Sequence, residues 1–142
     1  MSDQTIRLLI AGSLLLHGLG HFGAIMALVV QGRVKDTGKW KRARSWLFPT
    51  LAEPAATTIA IIFWGLSLIG FVAASMSFWG VLLPGDIWRQ LALVSAFISF
   101  TGIMLFLGNW PWFNTIAAQV MNIAVIMTQV WLHWPPVDMF GK

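Results

Sequence analysis

Apolar side chains fill four long stretches of this chain, and short polar or basic segments separate them. A helix rises about 1.5 Å per residue and the hydrocarbon layer of a bilayer is about 30 Å thick, so about 20 apolar residues suffice to cross it. Each stretch has that length. The pattern predicts an all-α integral membrane protein, a bundle of four transmembrane helices at about 5–31, 54–79, 87–107 and 113–134, forming a single four-span domain over 1–142.

The few polar positions inside the spans carry the next step. In the first span Ser13, His17 and His21 recur every four residues and share one helical face. In the fourth, Thr115, Gln119, Asn122, Gln129 and His133 follow at intervals of four, three, seven and four, one stripe along the whole helix. Groups of this kind facing lipid cost several kcal/mol, so both stripes are expected to turn inward and be buried together. Counted from the outer ends of their spans, His17 and Asn122 both lie about 18 Å deep and can meet. By the same count His21 is level with Ala118 and Gln119, and His133 falls near the outer surface. Gly12, Gly18, Gly20, Gly23 and Ala24 predict close approach of another backbone to the first span. Ser95, Ser99 and Gly102 in the third read as a packing face with no part in a site.

Punctuation between the spans is also legible. Glu53-Pro54 opens the second span, where a proline needs no acceptor for an absent N–H and an acid complements the helix dipole. Glu53 is read as a cap or as a partner for loop arginines, with a proton relay as the alternative. Leu83 to Asp86, Leu-Pro-Gly-Asp, is a turn in which Asp86 is expected to cap the third helix. Asn109 to Asn114, NWPWFN, is a tight turn of interfacial aromatics, and Pro135-Pro136 stops the fourth span just past Trp131 and Trp134.

Composition agrees, with 58% hydrophobic and 10% charged residues, a balance that a water-soluble core cannot accommodate. Without cysteine there is no disulfide, thiolate nucleophile or iron–sulfur cluster. The net charge of +4 comes largely from Arg33, Lys35, Lys39, Lys41, Arg42 and Arg44, six of the nine Lys and Arg residues, all in the 32–52 loop with Trp40, Trp46 and Phe48. A basic, aromatic loop beside a span is a topology signal and not a nucleic-acid site. It predicts a cytoplasmic loop lying on anionic lipids through those six cations, both termini outside, in a bacterial-type plasma membrane. The nine tryptophans and many small residues favour association with other membrane subunits or with a second copy. The first apolar stretch is longer than the core of a secretory signal and shows no small-residue cleavage site, so it reads as retained.

The candidate chemistry rests on His17, His21, Gln119 and Asn122. One reading has neutral imidazoles bonding Asn122, Gln119 or a serine to fix helix register. A second makes these four residues a ligand site for a quinone or tetrapyrrole, and a third makes them part of a proton or ion path. A metal would lack acidic or thiolate co-ligands at that depth, and no carboxylate completes a hydrolytic triad, so no metal ligand and no catalytic residue is assigned. His133 and His17 differ in depth by about 15 Å or more and cannot ligate one haem between them.

Arg7 through Gly12, followed by LLLHGLGH from Leu14 to His21, resembles the opening of DoxX-like membrane proteins, four-helix bundles with an arginine at the start of the first helix and a similar His-Gly pattern. The resemblance implies a membrane component associated with quinone-linked redox chemistry or serving an accessory role. Small multidrug transporters share the size and span count but use a glutamate where this chain has His17. The expectation is a small polytopic membrane protein, an accessory or assembly subunit and not an enzyme, with a polar interior that holds a small ligand. A quinone- or tetrapyrrole-binding redox subunit is the first alternative, and a small transporter or channel the second.

Overall fold

A computed structural model describes residues 2–31 and 43–136. Its elements are α1 Asp3–Gln31, α2 Glu53–Phe78, α3 Trp88–Leu105 and α4 Trp112–Ile126, the last continued by a π-helical turn over Met127–Trp131. No strand occurs among the described residues. The protein is an all-α four-helix bundle whose helices are each long and apolar enough to cross a membrane. Arg33, Lys35, Lys39, Lys41 and Arg42, together with Trp40, lie outside the described residues, so of the six loop cations only Arg44 can be placed, and it is exposed.

The helix ends differ from expectation in three places. α1 starts earlier, at Asp3, because the Ser2 hydroxyl accepts a hydrogen bond from the Thr5 amide at 3.3 Å and an acid occupies the first turn. Asp86 does not cap α3: Ile87 holds the cap position and no side chain bonds there. The expected uniform fourth helix instead widens at its end, where the Leu132 amide reaches back five residues to the Met127 carbonyl at 3.1 Å. His133 then takes a positive φ of 49° and ends the helix. Pro135 and Pro136 have no N–H to continue a ladder, and a residue before proline is disfavoured in the α region. As a result His133 leaves the polar stripe and is exposed at the end of the bundle.

α2 packs along both α1 and α3, whereas α4 leans on α3 and reaches α1 chiefly through side chains. The α1–α2 contact depends on Gly18, where an added Cβ would lie 3.1 Å from Phe71 Cβ and 3.3 Å from the Leu68 carbonyl oxygen. The Ser75 hydroxyl donates across the same interface to the Ala11 carbonyl at 2.9 Å. At α2–α3, a Cβ on Gly102 would meet Phe63 Cβ at 2.8 Å. The other small residues of α1 behave differently from expectation. Gly12, Gly20 and Gly23 have open space where a Cβ would stand, and Gly20 borders the cleft between α1 and α4.

Two apolar clusters fill the interior. One, at the end carrying the amino terminus, gathers Leu14, Phe71, Phe78, Trp88 and Val125 with small alanines. The other, at the end carrying the 32–52 loop, gathers Leu28, Trp64, Phe106 and Trp110. At the loop end the chain from residue 43 is tied down by two hydrogen bonds, Asn109 Nδ2 to the Arg44 carbonyl at 2.8 Å and Trp46 Nε1 to the Met104 carbonyl at 2.6 Å. The outer surface of the helices is largely apolar, with Leu16 71%, Phe113 82% and Trp131 75% exposed. That inverts the arrangement of a water-soluble protein and suits a hydrocarbon solvent.

Candidate functional site: a polar layer across the α1–α4 cleft

Between the two apolar clusters lies a layer of polar side chains from three helices. α1 places His17 and His21 one turn apart, with ring centroids 5.0 Å from each other and planes at 71°. Phe71 of α2, brought close by Gly18, backs both rings: it meets His17 edge-on at 4.6 Å and lies nearly parallel to His21 at 6.1 Å. Across the layer, His17 Nε2 is 2.9 Å from Asn122 Oδ1 on α4. Asn122 Nδ2 donates to Ser99 Oγ of α3 at 2.8 Å and to Gln119 Oε1 at 3.2 Å. Ser99 Oγ is in turn 3.0 Å from His21 Nε2.

The directions of these bonds follow from one fixed point. The Phe100 carbonyl can only accept, and Gln119 Nε2 donates to it at 3.4 Å. That turns Gln119 Oε1 toward Asn122, so Asn122 presents its Nδ2 there and its Oδ1 to His17. His17 therefore carries its hydrogen on Nε2 and donates. Ser99, having accepted from Asn122, keeps a hydrogen and a lone pair for His21. Asn122 is fully buried and engages both its amide hydrogens and its oxygen, which removes the penalty that an unsatisfied amide would carry at this depth.

His17, His21, Gln119 and Asn122 are thus joined in one network. Ser13 shares their helical face but is exposed beyond the layer, toward the amino-terminal end. His133 is remote, with its Nδ1 3.2 Å from the Trp131 carbonyl. Ser99 is the residue that the sequence pattern misassigned. The Ser95–Ser99–Gly102 face does pack against α2 through Ser95 and Gly102, yet its middle member turns into the layer and touches both α1 and α4. Its depth, level with His17 and Asn122 by the same count from the outer end, was the available signal.

A cavity of about 240 Å³ opens on the loop side of the layer, between α1 and α4. His17, His21, Gly20, Trp64, Trp110 and Thr115 are among its lining residues. The two indoles meet at right angles with centroids 4.7 Å apart. Thr115 Oγ1 is the distinctive atom: the residue is 4% exposed and the hydroxyl has no hydrogen-bond partner within the protein. Buried hydroxyls almost always have one. No family model, curated protein or solved structure matches this chain. Among the described residues no three His, Cys, Asp or Glu side chains come together in a way that could hold a metal ion.

Chemically, the cavity offers a hydroxyl able to donate or accept, beside two imidazoles whose Nε2 atoms are already engaged, inside indole and aliphatic walls. Such a site takes a small, largely apolar ring carrying one or two hydrogen-bonding oxygens. Ligand pockets for drug-sized molecules run to about 300–1,000 Å³, so this cavity suits a single-ring head group and is small for a macrocycle.

Proposed function

We propose that this chain is a four-span membrane protein that binds the ring of a lipid-soluble molecule in the loop-side cleft between α1 and α4, and that it serves as a binding or accessory subunit without chemistry of its own. The observation that carries the reading is the buried, unpartnered Thr115 hydroxyl in a cavity lined by His17, His21 and two tryptophans. A quinone head group fits that description, because a ring carbonyl accepts from Thr115 while the ring lies among indole walls and the tail leaves between the helices into lipid. The resemblance of the first span to DoxX-like proteins, with their quinone-linked setting, points the same way. A tetrapyrrole is disfavoured by the cavity's size and by the engagement of both imidazole Nε2 atoms.

The orientation we propose puts the basic 32–52 loop in the cytoplasm and both chain ends outside, following the distribution of Lys and Arg. In that orientation the binding cleft faces the cytoplasmic leaflet. The exposed apolar helix faces are available to lipid, to other membrane subunits or to a second copy. A transporter or channel is the weaker reading, since the His17–Asn122 bond bridges the cleft between the helices at mid-depth.

The test is direct. A short-tailed benzoquinone added to the purified protein should quench tryptophan emission from Trp64 and Trp110, and organic extraction should recover quinone from protein purified from its native membrane. Thr115→Val, which keeps the volume and removes the hydroxyl, should weaken binding about fivefold, the effect of one hydrogen bond of about 1 kcal/mol. Equal affinity in Thr115→Val, or no quenching in the parent protein, overturns the proposal.

A further inference from the structure

The cleft continues past the His17–Asn122 bridge toward the amino-terminal end, where a second cavity of about 200 Å³ lies between the same two helices. Its walls are apolar, with Leu9, Leu14, Met121 and Val125 beside the indoles of Trp88 and Trp134, and the polar lining comes from Ser13, Thr128 and Gln129. Gln129 is 7% exposed, and its Oε1 has no hydrogen-bond partner within the protein.

That oxygen is held in place by the rest of its amide. Gln129 Nε2 donates to the Trp134 carbonyl at 2.9 Å and to Thr128 Oγ1 at 3.3 Å. The Trp134 carbonyl can only accept, so the amide cannot turn over without facing two oxygens. The Thr128 hydroxyl hydrogen is itself given to the Ala124 and Val125 carbonyls, at 2.8 and 3.0 Å. The π-helical turn at Met127–Trp131 and the positive φ of His133 bring the Trp134 carbonyl back over Gln129 and so set this orientation. Turns of this type recur at functional sites. Arg89 secures the returning chain, donating from Nη2 to the Pro135 carbonyl at 2.7 Å.

We infer that this second cleft is a separate binding site for an uncharged alcohol of the lipid phase, such as a long-chain alcohol or a monoacylglycerol, whose hydroxyl donates to Gln129 Oε1. An acceptor left unmade at Gln129 favours a ligand that brings a hydroxyl hydrogen over a carboxylate or a quinone, and the Ser13 hydroxyl on the facing wall can bond to the oxygen of the same ligand. No acidic side chain lines the cavity, so a cationic head would be left uncompensated. The cavity has room for a hydroxyl-bearing head and the first carbons of a chain. The apolar walls take the chain. The inference requires the four helices to sit in a bilayer but is independent of what occupies the other cleft.

A photoreactive monoacylglycerol with a diazirine near its head, irradiated with the full-length protein in lipid nanodiscs, tests this by mapping adducts with mass spectrometry. Adducts should concentrate in peptides carrying Leu9 to Leu14 and Met121 to Gln129, be displaced by excess unlabelled long-chain alcohol, and resist the matching alkane and fatty acid. Gln129→Leu should reduce this labelling about tenfold. Ser13→Leu, at an exposed position on the facing wall, narrows the cleft without disturbing α4 and should reduce it as well, while Thr115→Val leaves it unchanged. Labelling spread evenly over lipid-facing residues overturns the inference, as does equal displacement by the alkane, better displacement by the fatty acid, or full labelling of Gln129→Leu.

Discussion

α2 and α4 flank the same histidine-bearing helix and are held to it in opposite ways. α2 meets α1 backbone to backbone, with Gly18 seated on Phe71 and a serine hydroxyl bonding a carbonyl across the seam. α4 reaches α1 across a cleft through the His17–Asn122 bond, with a cavity on either side of it. In hydrocarbon there is no hydrophobic force between helices, so close packing and interhelical hydrogen bonds have to hold them. The first interface relies chiefly on packing and leaves no room; the second relies on hydrogen bonds and leaves space between the helices.

The comparison can be broken most sharply at Gly18. Gly18→Leu drives a side chain into Phe71 and the Leu68 carbonyl, and should destabilise the protein by about 3 kcal/mol, read as a shift in the denaturing detergent fraction that unfolds it in mixed micelles. It should also release both histidine rings from Phe71. Asn122→Leu comes next. It removes three bonds of about 0.6 kcal/mol each, so a loss of about 2 kcal/mol is expected by the same assay. Faster amide exchange in α4, with α1 and α2 unaffected, would sharpen the contrast; uniform acceleration would mean that the two interfaces unfold together. The smallest effect belongs to Gly12→Ala. Open space surrounds that position, so the change should stay within about 0.5 kcal/mol and can be slightly stabilising through helix propensity. A loss as large as that of Gly18→Leu would reveal a second chain packed on this face.

Much of the candidate site was legible beforehand because both its ingredients are periodic. Polar residues at multiples of one helical turn mark a stripe, and a fixed rise per residue turns position into depth, which is how His17 and Asn122 could be matched. Depth alone did not single out Ser99. It shares its face with Ser95 and Gly102, and only the rotation of α3 against its neighbours separates the member that enters the network from those that pack on α2. His133 kept its expected place near the end of the bundle but left the stripe, because the helix widens over Met127–Trp131 and a positive φ at His133 ends it. Asp86 had the right chemistry for a cap, but the turn positions Ile87 there instead.

The amino-acid sequence alone determined that four apolar helices form and at what depth their polar residues lie, because hydropathy and helical rise are properties of each segment by itself. Which glycines touch a neighbour, which serine joins the histidines, and where the α1–α4 cleft opens and is bridged were decided by the tertiary structure. Those depend on the rotation and spacing of helices far apart in the chain, and only packing sets them.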